Sequence, residues 1–334
     1  MKKKILITGI TGMVGSHMLD LLIKKTNWEI FGMCRWRSPL DNVQHVISNK
    51  KERIKFLYGD LNDSISLDIV IKESKPDYVL HFAAQSFPKT SFEEPIVTLD
   101  TNILGTYRLL NSIKSNNINP IILICSSSEV FGRVSRDELP INEECKYHPA
   151  SPYAISKVGT DLIGRFFYEA YNLKTITTRM FTHTGPRRGD VFAESSFAKQ
   201  IALIEVGKAN PTIFVGNLKS LRTYSDVRDA VNAYFLLITK NPRPGEYYNI
   251  GGNYTCTVGD MLKFLLSITN FKKKIKIQID MKRIREIDAD LQVPNVSKFK
   301  KHTGWEPKIK FEKTMTDLLN YWRSKVINGN FLIR

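Results

Sequence analysis

The chain has 334 residues, 42% of them apolar and 25% charged, and a formal net charge of +16 at pH 7. That length fits one large α/β unit with a smaller companion, and no apolar run approaches the roughly eighteen residues of a membrane span. A basic balance can signal nucleic-acid binding, but much of the excess is scattered Lys, with a run at Lys272-Lys273-Lys274 and no aromatic-basic interleaving of the RNA-binding kind; a lysine-rich surface with pockets for a small anionic ligand is the better reading. Cys34, Cys125, Cys145 and Cys256 lie too far apart for metal-ligand spacing, so neither a metal site nor a disulfide framework is expected. At the N-terminus, Ile5 to Ile7 is too short an apolar stretch for a secretory signal, and a cytoplasmic protein is expected.

Lys4 to Thr8 reads as a strand, and Met18, Leu21 and Leu22 form the i, i+3, i+4 stripe of a helix. Glu29–Cys34, Ile54–Tyr58 and Tyr78–Phe82 read as further strands, Asn102–Ile113 as a helix and Pro120–Ser126 as a strand. Val158, Leu162, Phe166, Phe167 and Ala170 mark the buried face of a long helix, and Lys174–Met180 closes the series as a strand. Such alternation predicts an α/β fold, a Rossmann-type doubly wound parallel sheet. Beyond residue 180 the pattern turns irregular. Residues 1–180 are expected to form the dinucleotide-binding domain, and 181–334 mainly a smaller C-terminal substrate-binding lobe, with later segments revisiting the first domain.

Thr8-Gly9-Ile10-Thr11-Gly12-Met13-Val14-Gly15 leaves the first strand and opens the first helix. Gly9 and Gly12 let backbone approach a pyrophosphate, Gly15 permits close helix-on-strand packing, and the helix N-terminus supplies free N–H groups. The second strand ends in Cys34-Arg35-Trp36-Arg37 rather than in an acid. A guanidinium at Arg35 or Arg37 suits a ribose 2′-phosphate, so NADP is the expected cofactor. Asp60 and Leu61, just past the third strand, are placed to meet the adenine edge.

Tyr153 and Lys157 are spaced i, i+4 on one helix face. A nearby ammonium favours phenolate and should lower the tyrosine pKa toward a useful base. The pair alone is a weak signal. It gains meaning by following the strand that ends Cys125-Ser126-Ser127-Ser128-Glu129. Ser127 can hydrogen-bond an oxygen that loses its proton. Glu129 is either a solvated loop acid or a base for a carbon next to a carbonyl, and simple alcohol oxidation has no use for it.

Taken together, these residues resemble the extended short-chain dehydrogenase/reductase family, within it the GDP-mannose 4,6-dehydratase group. The likeness runs from the glycine turn through His81-Phe82-Ala83-Ala84-Gln85-Ser86, Ser127-Ser128-Glu129, Tyr153 with Lys157, and Arg179-Met180-Phe181-Thr182-His183. It continues through Pro186-Arg187-Arg188-Gly189, Gly216-Asn217-Leu218, Arg222, Arg285 with Asp288 and Asp290, and Gly304-Trp305-Glu306-Pro307. Residues 35–42, 85–92 and the tail through Tyr321-Trp322-Arg323 look most like the GDP-D-glycero-D-manno-heptose 4,6-dehydratases. The resemblance implies Tyr153 as base at the C4 hydroxyl, Lys157 as its partner and nicotinamide-ribose anchor, and Glu129 as base at C5, with Ser127 and Ser128 assisting. Ala83, Ala84, Gln85, His183 and Arg188 would join the glycine turn around the cofactor. Ser86, Lys89, Ser127, Thr182, Asn217, Arg222, Arg285 and Asp288 would meet a GDP-sugar. A homodimer through helices of the sheet domain, or a homotetramer around arginine-rich loops, is also implied.

Two departures stand out. Thr182-His183-Thr184 replaces the Asn-His-Glu of GDP-mannose dehydratases, and Ser127 stands where dehydratases usually carry Thr. The stretch Arg222 to Asp229 also resembles GDP-4-keto-6-deoxymannose reductases, which leaves an NADPH-dependent reductase as the alternative; Glu129 argues more strongly against an epimerase.

Overall fold

In the computed structural model, which describes residues 2–49, 52–285 and 287–329, six strands of the first half are Lys4–Thr8 (β1), Glu29–Cys34 (β2), Ile54–Tyr58 (β3), Tyr78–His81 (β4), Ile121–Cys125 (β5) and Thr175–Met180 (β6). Then come His183–Thr184 (β7), Thr212–Val215 (β8), Leu221–Asp226 (β9), Tyr247–Ile250 (β10), Tyr254–Thr257 (β11), Lys276–Ile279 (β12) and Leu291–Gln292 (β13). A seven-stranded sheet takes the order β10-β6-β5-β4-β1-β2-β3, with every neighbour parallel. Strand order reverses between β1 and β4, and the crevice at their carboxyl ends is where such sheets bind ligands.

The central strands are buried on both sides, so their residues alternate between two cores, while the edge strand β3 leaves Lys55 and Tyr58 exposed. Ile5, Ile7, Leu80 and Leu123 join the helices Met13–Lys25 and Val227–Thr239 on one face. Leu6, Val79, Ile122 and Ile124 join the helices Ser64–Ser74, Gly105–Ser115 and Pro152–Tyr171 on the other. The chain beyond residue 180 therefore returns to the main sheet through Val227–Thr239, through β10, and through Phe299 and Trp305. A third core gathers the helices Ala193–Glu205, Val258–Ser267 and Phe311–Ile327 against β8, β9 and β11.

The long helix starts with Ser151, whose hydroxyl accepts from Ala154 N, followed by Pro152 at the first turn. Its buried face corrects the sequence expectation. Leu162 and Phe166 are 47% and 45% exposed, and Ala170 is exposed too, whereas Tyr153, Ser156, Lys157, Thr160, Asp161, Gly164 and Phe167 point inward. The inward face is small and polar because it meets strand ends and the site. Gly164 approaches β5 and β6 closely, where a Cβ would lie 3.0 Å from Thr177 Oγ1. The helix expected over Asn102–Ile113 begins instead as a π turn, Asp100–Leu104, before Gly105–Ser115 continues as α-helix.

Candidate active site

At the end of β1, Gly9 adopts φ +69°, and a Cβ there would sit 2.8 Å from Ala83 N. A Cβ on Gly15 would lie 2.3 Å from Gly9 O. Gly12 begins the helix without a side-chain cap, and no acid occupies the first turn. The N–H groups of Met13 and Val14 thus open the helix with neither a capping side chain nor a repelling charge, a fit for a dinucleotide pyrophosphate. Thr8 and Thr11 tie the turn down: Ala83 N donates to Thr8 Oγ1 at 3.1 Å, Thr8 Oγ1 also meets His81 Nδ1 at 2.9 Å, and Asn42 Nδ2 donates to Thr11 O at 3.0 Å. Arg35 and Arg37 are exposed just after β2. Asp60 accepts from Asn62 N, and Leu61 is buried behind it.

Opposite the turn, β5 ends at Cys125 and the chain passes through Ser126, Ser127 and a short 3₁₀ turn, Ser128–Val130. Lys157 Nζ donates to Cys125 O at 2.7 Å, and Ser126 Oγ donates to Lys157 O at 3.1 Å. These bonds fasten the strand exit to the long helix. Lys157 Nζ lies 6.0 Å from the Tyr153 ring centroid. Ser127 Oγ accepts from Glu129 N at 3.2 Å, and its hydroxyl acts on the Tyr153 phenol to lower that group's pKa. Ser127, Ser128, Glu129, Tyr153 and Lys157 are thus brought together. The pKa of Tyr153 runs against expectation: burial pushes it up, the Ser127 bond pulls it down, the Glu129 carboxylate raises it further, and Arg188 lowers it. Burial likewise lowers Lys157. Desolvation outweighs the ammonium's expected help, because Lys157 spends a hydrogen bond on a neutral carbonyl and itself resists charging.

Arg188 reaches the same centre from the far side. Its Nε donates to Glu194 Oε1 at 3.1 Å, and it lies within electrostatic reach of both Tyr153 and Tyr224. His183 shares this region; burial and the Arg188 charge press its imidazole to about 4. Thr182 O accepts from Ser225 N on β9.

Further out, Asp288 Oδ1 lies 3.3 Å from Arg222 and 3.2 Å from Arg285, and Arg222 also donates to Ala289 O. Asn217 Nδ2 donates to Ser220 Oγ and Asp290 Oδ1, each at 3.0 Å. Asn217, Arg222, Arg285 and Asp288 form one charged cluster. Ser86 and Lys89 stand exposed on the loop and short helix after β4.

Sequence reasoning missed Asn102 and Glu194. Asn102, 2% exposed in the π turn, accepts from Gln85 N at 2.8 Å and donates to Gln85 O and to Ser156 Oγ. It thereby joins the Ala83-Ala84-Gln85 segment to the helix carrying Tyr153. A polar residue on an otherwise inward helix face was its only signal. Loop 131–150 is held by Arg179, whose guanidinium meets Asp161 Oδ2 at 2.9 Å, Tyr147 Oη at 2.5 Å and Glu143 O at 2.7 Å. No group of side chains suited to a metal occurs among the described residues, and none of their helices is long and apolar enough to cross a membrane.

The family described as GDP-mannose 4,6 dehydratase matches residues 6–318. GDP-mannose 4,6 dehydratase 1 of Arabidopsis thaliana is 33% identical over 323 residues, covering 93% of this chain and 87% of that protein. The GDP-6-deoxy-D-mannose reductase of Pseudomonas aeruginosa is 27% identical, covering 98% and 99%. Among solved structures, RMD from Pseudomonas aeruginosa complexed with NADPH is similar at TM-score 0.81 and 27% identity, over 97% of this chain and all of that one. A dTDP-glucose 4,6-dehydratase from Bacillus anthracis in complex with NAD is similar at 0.81 and 26%, over 96% and 97%. A match along nearly the whole length, on the fold and site just described, places this chain in the GDP-mannose 4,6 dehydratase family.

Proposed function

We propose that this protein is an NADP-dependent 4,6-dehydratase of a GDP-hexose or GDP-heptose, with GDP-D-glycero-D-manno-heptose as the first substrate to test. The observation that carries the reading is that the turn after β5 brings Glu129 to the same centre as Tyr153: Ser127 Oγ accepts from Glu129 N at 3.2 Å, and the Glu129 charge acts on the Tyr153 phenol. Oxidation of an alcohol needs Ser127, Tyr153 and Lys157; a carboxylate beside them serves proton removal from the carbon next to the new carbonyl. When bound, a nicotinamide cofactor supplies reversible hydride acceptance. The chain's own groups do the rest. Tyr153 takes the C4 hydroxyl proton while Ser127 donates to that oxygen. Lys157 and Arg188 supply the positive charge that offsets the phenolate. Glu129 then removes the C5 proton, made acidic by the adjacent ketone, and Ser128 or Glu129 returns a proton to the oxygen leaving C6.

Gly9, Thr11, Gly12, Met13, Val14 and Gly15 would hold the pyrophosphate, Asp60 and Leu61 the adenine edge, and His183 with Arg188 the nicotinamide end. Arg35 and Arg37, in place of an acid after β2, support NADP. Arg222, Arg285 and Asp288 would meet the GDP diphosphate and ribose, with Asn217 beside them; Ser86, Lys89 and Thr182 would flank the sugar. Residues 1–180 and 181–334 are proposed as the cofactor and substrate units, in a cytoplasmic homodimer or homotetramer. Leu104, Ile155, Leu162 and Phe166, between 45% and 50% exposed on adjoining helices, support pairing through that face.

Incubation with a panel of GDP- and CDP-sugars, followed by mass spectrometry, tests the reading. Loss of one water from a GDP-sugar is the expected result. The second reading, a 4-keto-sugar reductase, is favoured by the end-to-end similarity to the Pseudomonas reductase. It requires stoichiometric NADPH consumption without water loss.

A further inference from the structure

Ser86, Lys89 and Thr182, the groups proposed to flank the sugar, are all polar or charged. A glycosyl ring carries hydroxyls at its rim and C–H groups on its faces, so a site that holds it needs an apolar surface as well. The segment leaving β4 supplies one. Ala83 N donates to Thr8 Oγ1 at 3.1 Å beside the glycine turn, so the segment starts at the crevice between β1 and β4. Gln85 is fastened toward the catalytic helix. Its N–H donates to Asn102 Oδ1 at 2.8 Å, and Asn102 Nδ2 donates to Gln85 O at 2.9 Å and to Ser156 Oγ at 2.8 Å. Ser156 Oγ in turn donates to Tyr153 O at 2.7 Å. The Gln85 carboxamide then clamps Phe87 on both sides. Phe87 N donates to Gln85 Oε1 at 2.5 Å, and Gln85 Nε2 donates to Phe87 O at 3.2 Å and to Thr98 Oγ1 at 2.9 Å. Phe87 is thus held at the carboxyl edge of the sheet beside the exposed Ser86, and it is itself only partly buried.

The Phe87 ring is braced from the other half of the chain. Its centroid lies 5.1 Å from that of Phe192, with 57° between the planes. Phe192 directly precedes the helix Ala193–Glu205, and the Arg188 guanidinium lies 3.3 Å from its ring centroid. Arg188 is fixed in turn: its Nε donates to Glu194 Oε1 at 3.1 Å, and its carbonyl accepts from Ser195 Oγ at 2.7 Å. Phe192 therefore carries a guanidinium as well as Phe87, whereas Phe87 meets no second ring or cation among the described residues.

We propose that Phe87 is a specificity-determining residue whose ring packs against a C–H face of the sugar, with Phe192 as the positioning residue that braces it. This rests on the GDP-sugar reading above and adds to it the apolar surface that the glycosyl group meets. The face of an aromatic ring is the negative pole of its quadrupole and suits the weakly positive C–H groups of a pyranose. A ring clamped at its backbone and braced at its side keeps one orientation, so little ordering is left for the moment of binding.

Calorimetry on protein loaded with NADPH, which leaves no oxidised cofactor to start turnover, compares GDP-mannose with GDP. Phe87→Leu stays apolar and loses the flat face. It should weaken GDP-mannose about tenfold and leave GDP within about twofold. Phe192→Leu should weaken GDP-mannose about threefold, and should add nothing in the Phe87→Leu background, where no ring is left to brace. Equal loss of GDP and GDP-mannose in Phe87→Leu would mark a residue that only supports the fold, and overturns the proposal. Unchanged GDP-mannose affinity in Phe87→Leu overturns it as well, while leaving the GDP-sugar reading intact. Additive losses in the double variant overturn the bracing role of Phe192. If the unmodified protein binds neither GDP nor GDP-mannose, the GDP-sugar reading itself fails and the proposal falls with it.

Discussion

At the end of β1 the chain offers an anion backbone N–H groups, exposed by three glycines in seven residues and by a helix start without a capping side chain. At β9 and β13 it offers guanidinium groups that are already engaged: Arg222 with Asp288 and the Ala289 carbonyl, Arg285 with Asp288. The first device is made within one turn of chain and depends on the absence of side chains. The second joins residues more than sixty positions apart and depends on how strands meet. One should fail by steric clash and take the fold's N-terminal core with it. The other should fail by loss of orientation and spare the cofactor.

The largest effect is expected where the two regions converge. Tyr153→Phe should lower kcat about 10³-fold or more, since it removes the proposed base at the C4 hydroxyl. Glu129→Gln should spare oxidation and stall elimination, so that a 4-keto sugar accumulates on the protein in a single turnover. Complete dehydration by Glu129→Gln would assign the C5 proton to a different base.

The comparison itself is sharpened by a pair of variants. Gly15→Ala puts a Cβ 2.3 Å from Gly9 O, a backbone atom that cannot move aside. It should cost about 1–3 kcal/mol of stability in thermal unfolding and abolish NADP binding. Arg222→Lys keeps the charge and loses the planar fork that spans Asp288 and Ala289 O. GDP affinity should fall about tenfold with the unfolding midpoint and NADP affinity nearly unchanged. Equal damage to both ligands in either variant would break the distinction. A smaller effect is expected at Arg35, which is exposed. Arg35→Ala should weaken NADP about fivefold and leave NAD unaffected, measured by titration.

The least abrupt effect is on pH. His17, His81 and His183 are pressed from 6.5 to about 4, 3 and 4, chiefly by burial. Their folded pKa values lie below the unfolded ones, so the unfolded chain binds more protons in this range. Their stabilisation is complete above pH 6.5 and is lost as pH falls from there through about 4 for His17 and His183 and about 3 for His81. Thermal midpoints followed across that window should decline steadily on acidification; a flat profile would contradict neutral burial of these rings.

The strands of the first half were legible almost residue by residue, because the central strands of a parallel sheet are buried on both faces and read as short apolar runs such as Ile5–Ile7 and Ile121–Ile124, while the edge strand Ile54–Tyr58 exposes Lys55 and Tyr58. Glu29–Cys34 and Ile54–Tyr58 match their expected limits. The long helix was found but turned the wrong way. Leu162, Phe166 and Ala170 form an apolar stripe that faces outward, while its inward face is polar because it carries Tyr153 and Lys157 to β5. Asn102 was hidden in the same manner, as a polar residue buried by its bonds to Gln85 and Ser156. Pairings of β9 with β11 and β13 leave no local period to read.

The proposed chemistry turns on a hydride that leaves C4 and comes back at C6 of the same sugar. A GDP-hexose or GDP-heptose carrying deuterium at C4, incubated with the protein and catalytic NADP, tests this most directly. The account predicts a 4-keto-6-deoxy product with the deuterium at C6, no crossover when labelled and unlabelled substrates are mixed, and no net reduction of the nicotinamide. Deuterium lost to the medium or to free cofactor, or a product that retains its C6 oxygen while NADPH is consumed, would contradict it.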